Sequence, residues 1–225
     1  SETSLHIACK MGNATIAKLL LEKDADMTLQ DSRGDTPLHL AAYYGRDAEI
    51  VILLREKALQ EEEKGKWEVM QSTRNKAGNM PLHEACLGNQ WTEPLAFGHF
   101  VRKSVNIPNN DGNYPIHLAC MAGDIHKVDA ILKILHGIVW TMHMDVTQLQ
   151  NTRMRDTALH CACRFGHVEV VHRLLNHPVE AMSIEAENRA EYTPAMCACS
   201  IANKNTSSDI LSLLVEYGAA CWDLH

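Results

Sequence analysis

The chain has no excess of positive charge, no apolar run long enough for a bilayer and almost no phenylalanine. Lys and Arg number 21 against 28 Asp and Glu, a formal net charge of −7. That balance argues against a general electrostatic grip on nucleic acid or anionic lipid. The longest apolar stretch, Ile131 to Met142, is interrupted by Lys133 and His136 and is too short to insert in a membrane. The N-terminus lacks the charged and apolar regions of a secretory signal. There is no Walker loop, no G-x-S-x-G and no Rossmann fingerprint, so the expectation is a protein that is not an enzyme. With only three Phe, the core falls to Leu, Ile, Val and Ala, which the hydrophobic content of 46% supplies.

What the chain does have is repetition. Thr36-Pro37-Leu38-His39-Leu40-Ala41 recurs as Thr3-Ser4-Leu5-His6-Ile7-Ala8, Met80-Pro81-Leu82-His83-Glu84-Ala85 and Tyr114-Pro115-Ile116-His117-Leu118-Ala119. Two weaker copies begin at Thr157 and Thr193, and the steps between copies are 33, 44, 34, 43 and 36 residues. A period near 33 with a T-P-L-H-x-A core resembles the ankyrin repeat, in which a β-turn feeds two antiparallel helices. The resemblance covers nearly the whole chain. It implies an all-α ankyrin-repeat solenoid of helix-turn-helix units with short β-turns or hairpins and two longer inter-repeat insertions. One domain over 1–225 is expected, with repeats starting near 3, 36, 80, 114, 157 and 193. Ser1 stands two residues before Thr3, so the first repeat lacks its turn. A fragment of a longer array, with repeats on both sides, is the expectation.

The second repeat displays the local logic. Asp31-Ser32-Arg33-Gly34 reads as a turn with Gly34 at positive φ. Thr36 caps a helix that tolerates Pro37 in its first turn, and Gly45 ends it. Asp47 then opens a second helix carrying Ile50, Val51, Leu53 and Leu54 at helical spacing. Ile16, Leu19 and Leu20 are expected to form the inner face of the first repeat's second helix. Val168, Val171, Leu174 and Leu175 do so in the fifth, with Ile210, Leu213 and Leu214 in the sixth. Gly88 stands one residue early and predicts a local adjustment, while Arg155 and Glu191 replace the turn glycine and predict reshaped turns.

Cysteine and histidine look like chemistry but fit the repeat register. Cys9, Cys86, Cys120, Cys163 and Cys199 share the slot held by Ala42 in the second repeat, where a reduced thiol packs as a small hydrophobe. Neighbouring slots lie about 10 Å apart, too far for a disulfide, so the compartment is expected to be intracellular: cytoplasmic or cytoplasm-facing, or nuclear. His and Cys fall three apart in four repeats, yet the resemblance implies that each His ties neighbouring turns by hydrogen bonds. No metal and no cofactor are expected.

The third and fifth repeats are each preceded by roughly ten extra residues, expected to lengthen the preceding helix and the loop after it. The insertions carry Trp67 and Trp140, which either fold back over their own loops or form a second contact surface. Glu61-Glu62-Glu63 reads as a solvated helix face, or as an acidic docking patch.

The resemblance implies recognition through turn tips and the outer face of each first helix. By register these sites are Lys10 and Met11 in the first repeat, and Arg33, Asp35, Tyr43 and Tyr44 in the second. Lys76 and Asn79 follow in the third, and Asn110, Asp111, Asn113 and Met121 in the fourth. The fifth adds Arg153, Asp156, Arg164 and Phe165, and the sixth Tyr192. Tyr, Arg, Met and Phe favour binding hot spots, although each residue could instead cover a neighbouring turn. The expected function is a non-catalytic scaffold that binds a protein or peptide in a concave groove, without nucleic acid and without membrane insertion. The alternative is a regulatory or assembly region of a larger channel or multidomain enzyme.

Overall fold

The computed structural model describes residues 1–60, 65–88, 104–142, 149–177 and 184–219, the side chains of 136–142 excepted. The chain divides into two compact units, Ser1–Asp111 and Gly112–His225. Every regular element among the described residues is a helix.

The first unit holds α1 (Ser4–Met11), α2 (Ala14–Glu22), α3 (Pro37–Tyr44), α4 (Ala48–Gln60), α5 (Lys66–Ser72) and α6 (Pro81–Leu87). Helices α1, α3 and α6 lie side by side in one layer, and α2 packs on α4 in a second. The second unit repeats the scheme. Its helices are α7 (Pro115–Ala122), α8 (Ile125–Met142), α9 (Ala158–Phe165), α10 (Val168–Leu175), α11 (Pro194–Cys199) and α12 (Lys204–Glu216). There α7, α9 and α11 form one layer, and α8, α10 and α12 the other.

The first helices start and stop as their sequences dictate. Thr3, Thr36, Thr157 and Thr193 sit at N-caps in extended conformation. Gly45 closes α3 in the left-handed conformation, which a side chain disfavours. Between the layers the small slot is filled by Cys9, Ala42, Cys86, Cys120 and Cys163, all essentially inaccessible. Cys199 departs from that expectation and is exposed. The second helices bury Ile50, Val51 and Leu54 in the first unit and Val171, Leu174 and Ile210 in the second.

In α2, Ile16 and Leu19 are 47% and 56% exposed, a correction to their expected inner position. Ala17 and Leu21 carry that face instead. Counted from the helix starts, the residues of α4 that correspond to Ile16 and Leu20 of α2 are Ile50 and Leu54, and both are covered, because α4 sits between α2 and α5 whereas α2 packs against α1 and α4.

The insertions differ. The second lengthens its helix, α8 having 18 residues against 9 in α2 and 8 in α10. The first follows a helix that is also longer, α4 having 13 residues, and it adds a separate helix, α5, which the sequence did not reveal. Trp67 on α5 is 3% exposed, so its ring folds inward and offers no second contact surface. Trp140 lies on α8 with its side chain outside the description, and Glu61 to Glu63 lie outside the described residues.

Of the two turns without glycine, one keeps the shape of the others and one does not. Gly34, Gly78 and Gly112 have φ of 80°, 75° and 83°, and Arg155 and Glu191 adopt 57° and 61° at their positions. In the sixth repeat the expected reshaping does not occur: Glu191 N donates three residues back, to Asn188 O at 3.0 Å, as Gly34 N does to Asp31 O. The fifth turn is reshaped as expected, because it is one residue longer and Arg155 N donates four residues back, to Asn151 O at 2.9 Å. A β-carbon in this region costs about 1–2 kcal/mol. Glu191→Gly is therefore expected to stabilise the second unit by about 1 kcal/mol, read as a thermal midpoint several degrees higher. An unchanged or lowered midpoint would mean that this turn carries no strain.

Candidate functional site

The site begins with the scaffold that holds the turn tips. In five motifs the backbone N–H of the first residue (Thr3, Thr36, Met80, Tyr114 or Thr157) donates to Nδ1 of the histidine three residues on, at 3.2–3.3 Å. Nδ1 is thus an acceptor, so the proton sits on Nε2 and points the other way. Nε2 of His6 donates to Asp35 O at 2.9 Å, that of His39 to Asn79 O at 3.0 Å, and that of His117 to Asp156 O at 2.9 Å. His160 does the same to Tyr192 O at 2.8 Å. Burial holds His39 and His160 below the usual imidazole range and takes His117 down to about 4, despite hydrogen bonds to carbonyls that favour the charged form.

A second ladder runs beside the first. Asp31, Asn75 and Asn188 each accept backbone N–H bonds within their own turns through Oδ1, at 2.8–3.1 Å. The asparagines also reach the preceding repeat. Asn75 Nδ2 donates to Asp35 Oδ1 at 2.7 Å, Asn109 Nδ2 to Asn79 Oδ1 at 2.8 Å, and Asn188 Nδ2 to Asp156 Oδ1 at 2.8 Å. Backbone bonds join successive tips, Lys76 N to Arg33 O at 3.0 Å and Asn110 N to Ala77 O at 3.1 Å.

This ladder corrects three of the expected contact residues. Asp35, Asn79 and Asp156 are 5%, 6% and 1% exposed, and their side chains hold the scaffold together. Arg164 is likewise occupied: its guanidinium grips both oxygens of Asp156 and reaches Cys197 Sγ at 3.5 Å. Asn113 accepts from Asn151 Nδ2 at 3.1 Å.

Other expected residues are accessible. In the first unit Arg33, Lys76, Asn110 and Asp111 project from the tips, and Met11 is 60% exposed. Lys10 is half-buried and pairs with Glu2 at 3.3 Å. Tyr43 and Tyr44 are half-buried and meet edge to face at 5.1 Å, with Arg46 lying 6.0 Å above the Tyr44 ring. In the second unit Arg153, Tyr192 and Phe165 are exposed, and Phe165 stacks on His167. Met121 is half-buried, and its carbonyl accepts from His167 Nε2 at 3.0 Å.

Three of these residues, Arg33, Tyr43 and Lys76, converge with the buried Asp35 within the first unit on a groove of about 450 Å³. Leu40, Asn75, Ala77 and Glu84 complete its lining with Ser32 and His39. Arg33 is neutralised by Asp35 at 3.1 Å and Asp31 at 3.7 Å. Glu84 is the participant that the register-based reading missed. Its signal was available: it is the one charged residue at the fifth motif position, which holds Ile7, Leu40, Leu118, Cys161 and Cys197 elsewhere. Among the described residues, no group of three or more His, Cys, Asp or Glu is placed to hold a metal ion. No described helix is long and apolar enough to cross a membrane.

Known proteins share the repeat architecture. Residues 1–65, 95–182 and 135–224 match a family model described as ankyrin repeats, three copies. Over 57 residues the chain is 44% identical to neurogenic locus notch homolog protein 1 of Xenopus laevis and of Mus musculus. It is 46% identical over 57 residues to the neurogenic locus Notch protein of Drosophila melanogaster. Each match spans 25% of this chain and 2% of the relative's length. The crystal structure of the human ASB11 ankyrin repeat domain superposes with a TM-score of 0.68 at 21% identity, over 97% of this chain and 85% of that one. At that identity the likeness concerns the fold.

Proposed function

Because the chain belongs to the ankyrin-repeat family, whose members are generally protein–protein interaction modules and typically not catalysts, we propose that it is a non-catalytic scaffold. It binds a protein or peptide partner along its turn tips and first-helix faces. The observation that carries this reading is the groove beside α3 and α6, where Tyr43, Leu40, Arg33 and Lys76 meet. Tyr and Arg are the residue types that anchor interfaces. The hydrogen-bond ladders behind them preform the surface, so binding need not order it.

Six of the seven described cysteines are buried, in slots that Ala, Leu or Ile fill in other repeats, as suits a reduced thiol packed as a small hydrophobe in a reducing, intracellular setting. The matched relatives are far longer than the segment they share with this chain. That favours, as a second reading, a stack acting within a larger protein.

Panning a random peptide library on the folded chain tests the first reading. Recovered peptides are expected to bind Tyr43→Ala/Lys76→Ala at least about tenfold more weakly, a loss of roughly 1.4 kcal/mol. Circular dichroism would check that the variant stays folded. Peptides held equally by both forms would move recognition off this groove, and recovery of none would count against a peptide-binding surface.

A further inference from the structure

The fifth motif position faces a neighbour in most repeats. Leu40, Leu118, Cys161 and Cys197 are each at most 5% exposed there. In the third repeat the same place holds a half-buried carboxylate, Glu84. Removing a charge from water is costly unless a partner compensates it, so the identity of that partner matters.

The partners in place are neutral. Glu84 Oε1 accepts from Asn75 Nδ2 at 2.8 Å and from Asn79 Nδ2 at 2.9 Å. Oε2 receives no hydrogen bond among the described residues. The guanidinium nearest at hand, Arg33, is committed to Asp35 and Asp31. Lys76, on the same lining, forms no ion pair among the described residues and stands exposed at a turn tip. Burial raises the carboxyl of Glu84 above its usual range, and the charge of Asp35 adds to the effect, while the two amides and Arg33 only partly offset it. The groove therefore contains one carboxylate that is oriented by amides but not neutralised.

The surroundings narrow the complement. Leu40 and Tyr43 give the groove an apolar and an aromatic lining, suited to the methylene stem of a long side chain and to the face of a planar cation. A guanidinium is more weakly hydrated than an ammonium and presents several donors in one plane. It can bond a carboxylate oxygen and stack on a tyrosine at once.

We propose that this groove receives an arginine side chain from the partner segment, its stem against Leu40 and Tyr43 and its guanidinium on Oε2 of Glu84. The inference rests on the groove being the recognition surface and names the chemistry that the surface selects. Charge complementarity of this kind contributes mainly to specificity: a neutral side chain in the same place would leave Glu84 desolvated and unpaired.

The test uses N-acetyl-arginine amide as probe, with its neutral isostere N-acetyl-citrulline amide beside it. Binding is read from the side-chain NH₂ resonances of Asn75 and Asn79 by ¹H–¹⁵N NMR. Arginine is expected to shift both pairs saturably in the millimolar range, a contact worth roughly 4 kcal/mol or less. Citrulline should bind at least about tenfold more weakly, and Glu84→Gln should remove that preference. Glutamine keeps an oxygen for the two amides, so the variant should fold as the parent does. Equal shifts with both probes, an unchanged preference in Glu84→Gln, or no saturable shift with arginine would each overturn the proposal. If arginine fails while library peptides still depend on Tyr43, the groove reading survives and this inference falls. If arginine succeeds while no library peptide depends on Tyr43, the pocket stands and the wider groove reading falls.

Discussion

Replacing Gly88 with alanine is expected to destabilise the unit formed by residues 1–111 by about 3 kcal/mol or more. The reason is steric and lies outside the glycine's own dihedral angles. Gly88 has φ −65° and ψ 158°, a conformation open to any residue. A β-carbon there would stand 1.8 Å from Tyr43 O, 2.7 Å from Tyr43 C and 3.0 Å from Tyr43 Cα. All three are backbone atoms, at the C-terminus of α3, against which α6 is packed. No rotamer change relieves such a clash, so the two helices must separate and forfeit dispersion contacts along their seam. Gly65→Ala is the control. Its φ is 97° but nothing lies within 4 Å of the added carbon, so only conformational strain of about 1–2 kcal/mol applies. Urea unfolding followed by circular dichroism reads both. With slopes of about 1–3 kcal/mol/M, the Gly88 variant should lose about 1 M or more of midpoint and the Gly65 variant clearly less. Equal losses would show that the close approach to Tyr43 is not what requires glycine.

Acidification is the second large perturbation. In His39, His117 and His160 Nδ1 accepts a backbone N–H, and protonation would set two donors against each other. His117 titrates at about 4 in the folded chain, against 6.5 for the free side chain. The unfolded chain therefore binds more protons between these values, and stability rises with pH across the window. The contribution is fully present above pH 6.5 and is lost as pH falls toward 4, amounting to about 3 kcal/mol for His117 alone. His39 and His160, held down chiefly by burial, add losses of the same sign. The urea midpoint is expected to decline from pH 6.5 downward. His117→Gln should lower the midpoint at neutral pH while flattening that decline. A midpoint constant from pH 7 to pH 4 would contradict the neutral ladder.

Much of the fold was legible because its signals are local. A threonine cap, a proline in the first turn and a glycine nine residues on specify a helix through a few neighbouring dihedrals, and Gly45 and Gly34 take the positive φ their places demand. The histidine's outward bond was implied by family resemblance and holds in four repeats. Site residues were less legible. Register alone sent Asp35, Asn79 and Asp156 to the surface, but the asparagine five residues before the next motif draws the first two inward. Asn188 and Arg164 do the same to Asp156. The three asparagine bonds join residues 30 to 40 positions apart, where one repeat's pattern says nothing about its neighbour's side chains.

The sequence by itself determined the repeat unit, its period, its caps and the small slot shared by Cys9, Ala42 and Cys86, since each follows from backbone preference or from volume. Only tertiary structure decided which apolar residues are covered. Ile16 and Ile50 are the third residues of α2 and α4, yet one is 47% exposed and the other 1%, because burial belongs to the packing partner rather than to the residue. The same holds for Gly88 and Glu84. The distance from Gly88 to Tyr43 O, and the neutral company of a carboxylate in an apolar slot, arise only when α3 and α6 come together.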